Sequence, residues 1–183
     1  MSGDSRFVIG GVGGFTQEIG RLVSMMRYVR ETTLDAVDGL GVEELDYLHD
    51  PGSNSIGALL AHVAAVEEWY QSATFFGREL EPRDLGEWGA ALDLGEAARR
   101  EIRGRPLDAY VKRLGDVRAR TLGELAARED AWLEERAPFW KGEPANNYFK
   151  WFHVFEDELN HRGQIRWLRA RVRASGEQHI SDG

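Results

Sequence analysis

The stretch of sequence that decides the fold is residues 153–165, HVFEDELNHRGQI, near the C-terminal end of the chain. On a helix with ~100° per residue, an apolar stripe that includes Val154, Ile165 and Leu168 falls within about 40° of His161. Asp157 lies on the same face, one turn earlier. Because an apolar face packs against a core, both ionisable side chains need a partner there. We predict that this partner is a metal ion.

A row of arginines follows another side of the same helix, roughly 80–140° away from His161. It consists of Arg162, Arg166, Arg169 and Arg173. We expect the row to face water or to pair with acidic residues of a neighbouring helix. The formal net charge of −8 and the pI near 5.2 argue against nucleic-acid binding, which requires a basic surface.

The composition excludes several kinds of site. The 183 residues suit one domain, 1–183, and with Cys at 0 the chain has no disulfide, cysteine zinc site or thiol nucleophile. No basic segment followed by an apolar one opens the sequence, and no apolar run approaches ~18 residues. We therefore expect a cytoplasmic protein without a membrane span, in which His and carboxylate side chains hold any metal. Residues 1–14 and 175–183 are expected to be loose termini.

Four segments carry apolar residues at helical spacing, which predicts four long helices. They are residues 16–37, 56–76, 106–136 and 148–174. Residues 77–104 connect the second helix to the third, and we expect so long a connection to cover one end of the molecule as a lid. The prediction is an all-α four-helix bundle with a long crossover between helices 2 and 3.

A second histidine, His62, also points inward, because Val66 and Trp69 share its face of the second helix. A histidine on an apolar face is commonly a core side chain bonded to a neighbour, so His62 alone does not indicate a ligand. Asp157 and His161 can reach one ion together, and His62 could complete the set from a facing helix. Two imidazoles and a carboxylate suit Zn(II), Ni(II) or Fe(II) with open coordination positions.

Two segments together resemble the DinB/YfiT-like family of metalloenzymes: IGALLAHVAAVE at 56–67 and HVFEDELNHRGQI at 153–165. The predicted helix layout is similar to that family over nearly the whole chain. The resemblance implies a four-helix bundle, frequently a homodimer, in which His62 and His161 match the first and last metal ligands. At the middle ligand position the family pattern has His, and this chain has Asp157.

That departure leaves two alternatives. Either Asp157 serves as an oxygen ligand in a His62/Asp157/His161 set that binds zinc or nickel, or the site has lost its metal. Glu158 keeps the family's following acid. It is the substitute ligand if Asp157 cannot reach the ion, and it is the expected catalytic proton acceptor.

The resemblance implies a metal-dependent enzyme with a small-molecule substrate. Relatives in the family include S-transferases that use low-molecular-weight thiols, a maleylpyruvate isomerase that uses such a thiol, and hydrolases. A metal with open positions could lower the pKa of a thiol or of water and so produce a nucleophile. The alternative is a non-catalytic binding or scaffold bundle with a vestigial metal site. His153 could line the rim, and Gln164 could orient a ligand or be a polar edge residue.

Overall fold

The structure is a computed structural model that describes residues 5–181, and the side chains of residues 5–172. In chain order its α-helices are α1 (Gln17–Val37), α2 (Val42–Asp46), α3 (Ile56–Phe75), α4 (Ala90–Asp93), α5 (Gly95–Glu101), α6 (Leu107–Ala126) and α7 (Asn147–Ser181). The long helix α1 packs against α7, and α3 packs against both α6 and α7. Contacts between α1 and α6 close the ring. The predicted four-helix bundle, with its crossover between the second and third long helices, is confirmed.

Helix α3 lies at the centre of these contacts because almost its entire surface is apolar or small. The Ser55 hydroxyl caps its first turn by accepting a hydrogen bond from the N–H of Ala58, at 3.1 Å. Gly57 then allows α6 to approach closely, since a Cβ atom at that position would lie 2.6 Å from the Tyr110 hydroxyl. Most of the first ten residues of α3 are buried. The apolar area that α3 removes from water is therefore a main source of stability.

The third long helix is shorter than predicted: α6 ends at Ala126, not near 136. A 3-10 helix follows over Asp130–Glu134, and the strands β1 (Arg136–Pro138) and β2 (Pro144–Asn146) then pair antiparallel. A second 3-10 helix, Trp140–Gly142, lies between the strands. The chain turns because Asp130 accepts hydrogen bonds from the backbone N–H groups at the start of α1, at 3.0 and 3.1 Å. The free N–H groups at the N-terminus of α1 thus hold the segment around Asp130 in place after α6 has ended.

The predicted lid, residues 77–104, folds into a 3-10 helix at Pro82–Trp88 followed by α4 and α5. Both α4 and the 3-10 helix contact α3. The inward side chains of the whole connection join the core that surrounds α3; these are Leu85, Ala91, Ala98 and Ile102. The connection therefore lies against the helix that carries His62.

Both chain ends are more structured than the sequence indicates. Residues 5–14 form no helix or strand, yet they lie along α1, where the Val8 carbonyl accepts from the Ser24 hydroxyl at 3.4 Å and Arg6 pairs with Asp35 at 2.9 Å. The predicted C-terminal tail is part of α7 as far as Ser181. Residues 1–4 and 182–183 lie outside the described chain. Within residues 5–181, no helix has the length and apolar character that a membrane span requires.

The arginine row of α7 meets backbone oxygens at the end of α1. The Arg169 guanidinium donates to the carbonyls of Ala36 and Asp38, both at 2.8 Å, and Arg162 donates to the Thr32 hydroxyl. A cation at a helix C-terminus also interacts favourably with the helix dipole. Arg162 and Arg169 thus join α7 to α1. Arg166 is exposed as expected, and the side chain of Arg173 lies outside the described residues.

Candidate metal centre

His62 on α3 is oriented by the connection over residues 77–104. Its Nδ1 atom lies 2.8 Å from the Ala91 carbonyl oxygen. A carbonyl can only accept, so Nδ1 carries the hydrogen and Nε2 keeps a free lone pair. Burial lowers the pKa of His62, which favours the neutral imidazole that a metal requires. A backbone oxygen behind a histidine is a common way of orienting a metal ligand.

Asp157 and His161 lie one turn apart on α7. The Asp157 Oδ1 atom is 3.4 Å from His161 Nε2, and Asp157 Oδ2 is 3.8 Å from His62 Nε2. Burial alone would raise the pKa of Asp157, but its interactions with His161 and His62 outweigh burial and lower it. The carboxylate is therefore ionised at neutral pH, as a ligand must be.

The three side chains fit a metal ion. One ligand atom from each lies within 4.8 Å of the others. In a tetrahedral site with bonds of about 2.1 Å, neighbouring ligand atoms are about 3.4 Å apart, which is close to the two separations given above. Two buried polar atoms here, Asp157 Oδ2 and His161 Nδ1, have no hydrogen-bond partner among the residues that the structure describes. Such atoms are uncommon unless an ion or water meets them. The Asp157 carboxylate therefore lies close enough to both histidines to share one metal ion with them.

Glu158, the predicted proton acceptor, does not join this group. Its side chain is fully buried, and its oxygens receive hydrogen bonds from Arg30 at 2.9 and 3.2 Å and from Arg118 at 3.5 Å. With both oxygens bound to guanidinium groups, Glu158 has a partner that is not a metal. The structure thus places the two adjacent acids of α7 in different surroundings.

Glu158 belongs to a buried charge network to which each long helix contributes one residue: Arg30 on α1, Glu67 on α3, Arg118 on α6 and Glu158 on α7. Glu67 accepts from Arg118 at 2.7 Å and from Arg30 at 2.9 Å. Burial alone would raise the pKa of Glu67, but the two arginines lower it to about 2. Sequence reasoning missed this network. The available signal was a charged residue, Arg30, on the apolar face of the first helix.

A cavity of about 350 Å³ opens beside the candidate metal centre. His62 and Asp157 form part of its wall, and its other lining residues are Val66, Trp69, Tyr70, Leu92, Asp93, Trp140 and His153. His153 therefore lies at the rim. Its Nδ1 is 2.8 Å from Glu156 Oε2, and its ring contacts Trp140 with centroids 4.7 Å apart. Gln164 is exposed and lines a separate groove with Trp167 and Asn54.

Comparison with family models gives one decisive match. The model described as mycothiol-S-transferase covers residues 21–174. The chain belongs to this family. The matched range includes His62, Asp157 and His161, together with the whole of the bundle from early α1 into α7. No curated protein matches the chain.

Solved structures show that this chain has a DinB-like fold. A conserved protein from Enterococcus faecalis superposes with a TM-score of 0.65 at 16% identity, over 81% of this chain and 92% of that one. A DinB-like protein from Bacillus cereus ATCC 10987 gives a TM-score of 0.62 at 19% identity, over 83% and 91%. At such identities the likeness establishes the fold alone. Together with the family match, it confirms the resemblance to DinB-like proteins.

Proposed function

We propose that this protein is a metal-dependent S-transferase that joins a low-molecular-weight thiol, of the mycothiol type, to an electrophilic small molecule. The observation that carries the proposal is the convergence of His62, Asp157 and His161 beside an aromatic-walled cavity, with ligand atoms within 4.8 Å of one another. Membership of the mycothiol-S-transferase family supports the thiol as cosubstrate.

The metal would be zinc or nickel, held by His62, Asp157 and His161. Imidazole nitrogens and one carboxylate oxygen form the donor set of many catalytic sites for such ions. When bound, the ion supplies a Lewis acid that lowers the pKa of a thiol or water at its open position. The Ala91 carbonyl fixes the tautomer of His62, so that Nε2 presents its lone pair.

His153 takes the role of proton acceptor, since Glu158 is bound by arginines. The Glu156 carboxylate, 2.8 Å from Nδ1, orients the ring and leaves Nε2 able to accept the proton of the thiol. The sulfur then forms its bond to the electrophilic carbon while another bond of that carbon breaks, either to a leaving group or, in an addition, the π bond. The protonated His153 returns its proton to the atom that takes the displaced electron pair. Val66 and Leu92 provide apolar parts of the cavity wall.

Elemental analysis tests the metal site. Wild-type protein purified without chelator, or reloaded with zinc or nickel, is expected to hold a divalent ion in an amount equimolar with the chain. His161→Ala is expected to lose that ion, whereas His49→Ala, which alters an exposed histidine that contacts Trp167, keeps it. Added metal should raise the melting temperature of the wild type and not of His161→Ala. A wild-type protein that binds no metal would contradict the proposal and leave a non-catalytic scaffold bundle.

Thiol consumption tests the reaction. Metal-loaded protein is mixed with mycothiol, or a simpler cysteinyl thiol, and a panel of electrophiles, and loss of free thiol is followed. We expect turnover that His153→Asn lowers by about 10²–10⁴-fold, the usual contribution of a general base, without loss of metal. Ester cleavage in the absence of any thiol would instead favour a hydrolase. Sedimentation of the same sample tests the homodimer that we also propose.

A further inference from the structure

A second cavity, of about 370 Å³, adjoins the one beside the metal centre. The two share three lining residues, Trp69, Tyr70 and Trp140. Phe139 adds another aromatic wall to the second cavity. The shared residues make the two cavities neighbouring parts of one binding region. A flat apolar molecule would fit against these rings.

Lys150 lines this second cavity and is the unusual residue in it. The side chain is only 7% exposed. Within the described residues no hydrogen bond or ion pair reaches its ammonium group. The Nζ atom lies over the Phe139 ring, 5.8 Å from the ring centroid. The aliphatic stem is buried, whereas the ammonium nitrogen is not among the buried atoms that lack a partner, so it reaches the open space of the cavity and keeps only part of its hydration. Burial accordingly lowers the pKa of Lys150.

The other two lysines of the chain show how unusual this is. Lys112 is exposed and pairs with Asp116 at 2.6 Å, and Lys141 is exposed on the 3-10 helix between the strands. The cavity also has Arg78 and Glu79 in its lining, and both of these side chains are exposed. Lys150 is thus the charged group on the buried part of the wall.

Lys150 lies on the same side of α7 as Asp157 of the candidate metal centre. It lies two helical turns before Asp157, which places the two residues within about 20° of one another around the helix and about 10 Å apart along its axis. An elongated molecule with its anionic end at Lys150 could therefore extend along α7 towards Asp157 and His62. The aromatic residues shared by the two cavities lie along that path.

We propose that this second cavity is a carboxylate subsite, in which Lys150 recognises the anionic group of a flat, apolar carboxylic acid that is the electrophilic substrate. The role of that acid as substrate rests on the proposed transferase function. Its chemistry is inferred from the aromatic cavity and from the ammonium group of the largely buried Lys150, which faces that cavity. Lys150 is then a specificity-determining residue, and Trp69, Tyr70 and Trp140 hold the apolar body.

Calorimetry on the full chain, with and without zinc, tests the subsite with cinnamate and its uncharged analogue cinnamamide as probes. Wild-type protein is expected to bind cinnamate at least about tenfold more tightly than cinnamamide, since a hydrogen bond between opposite charges at a partly desolvated cation is stronger than one to a neutral amide. Lys150→Met is expected to abolish that preference, and Lys112→Met to retain it. Equal affinities for the two probes in the wild type, or an unchanged preference in Lys150→Met, would overturn the proposal.

A measurement without any variant covers the case in which Lys150→Met does not fold. The three lysines of ¹³C-lysine-labelled wild-type protein give three sets of ε-methylene NMR signals. Cinnamate should shift the set that belongs to Lys150 and leave those of Lys112 and Lys141 unchanged. Shifts confined to the two exposed lysines, or no shift at saturating cinnamate, would refute the subsite. Because the zinc-free protein is also tested, this outcome is independent of whether the metal centre is catalytic.

Discussion

The substitution Glu158→Gln tests whether the Glu158 carboxylate stabilises the folded protein or takes part in catalysis. In the folded protein Glu158 accepts hydrogen bonds from Arg30 at 2.9 and 3.2 Å and from Arg118 at 3.5 Å, and it has no exposed surface. The two arginines and the two glutamates, Glu67 and Glu158, balance in charge. In the variant the glutamine side chain is neutral, so Glu67 is the one carboxylate left to balance the guanidinium groups of Arg30 and Arg118. The centre of the bundle then carries a net positive charge.

The expected cost is large for one substitution. Removing one partner of a buried ion pair destabilises a protein by about 3–5 kcal/mol, against a total stability of about 5–15 kcal/mol. For a chain of this size, each kcal/mol lowers the melting temperature by about 2–4 °C, so we expect a decrease of roughly 6–20 °C. Arg30→Met combined with Glu158→Gln restores the charge balance. The double variant should therefore lose less stability than the sum of the two single variants.

Urea unfolding followed by circular dichroism measures the loss, and elemental analysis of the same samples measures bound metal. Glu158→Gln should unfold at a lower urea concentration while retaining the metal content of the wild type. Glu18→Gln, which removes only an exposed pair with Arg21, should change stability little. If Glu158→Gln has wild-type stability and no thiol-transfer activity, the structural role is refuted and Glu158 acts in catalysis instead.

Three further predictions concern the bundle. Gly57→Ala would bring a methyl group to 2.6 Å from the Tyr110 hydroxyl and should cost about 1–3 kcal/mol in urea unfolding, part of which Tyr110→Phe recovers. Trp151→Phe loses the bond to the Thr74 hydroxyl, 3.1 Å long, and leaves space in the core, so a similar loss is expected. The pKa of Glu67 is about 2 in the folded protein, below its ordinary 4.5. Its ionisation therefore contributes about 3 kcal/mol above pH 4.5, which is lost as the pH falls from 4.5 towards 2, and a urea series across that range should show the decline.

Several features of the molecule could be predicted from the sequence because they depend on local periodicity. The apolar spacing around Met26, Leu59 and Leu114 repeats with the turn of a helix, so the four long helices were predictable. The same spacing placed His62, Asp157 and His161 on inward faces. Helical geometry alone is enough to bring side chains one turn apart within reach of a common ion.

Other features depend on contacts between residues far apart in sequence. Asp157 and Glu158 are adjacent acids about 100° apart on one helix, and the sequence does not say which of them meets the histidines. That choice depends on where Arg30 and Arg118 lie once all four long helices have packed. The early end of α6 likewise depends on Asp130, which reaches the first turn of α1.

The sequence by itself determined the four long helices and the inward direction of the three candidate ligands, because both follow from apolar residues that recur at helical spacing. Only the tertiary structure decided that Ala91 orients His62, that Glu158 pairs with arginines, and that Lys150 faces a cavity without a partner. Each of these depends on the surroundings that other segments supply. The spacing of apolar residues around a position shows whether its side chain points inward. The groups that it contacts there are known only once the helices have packed.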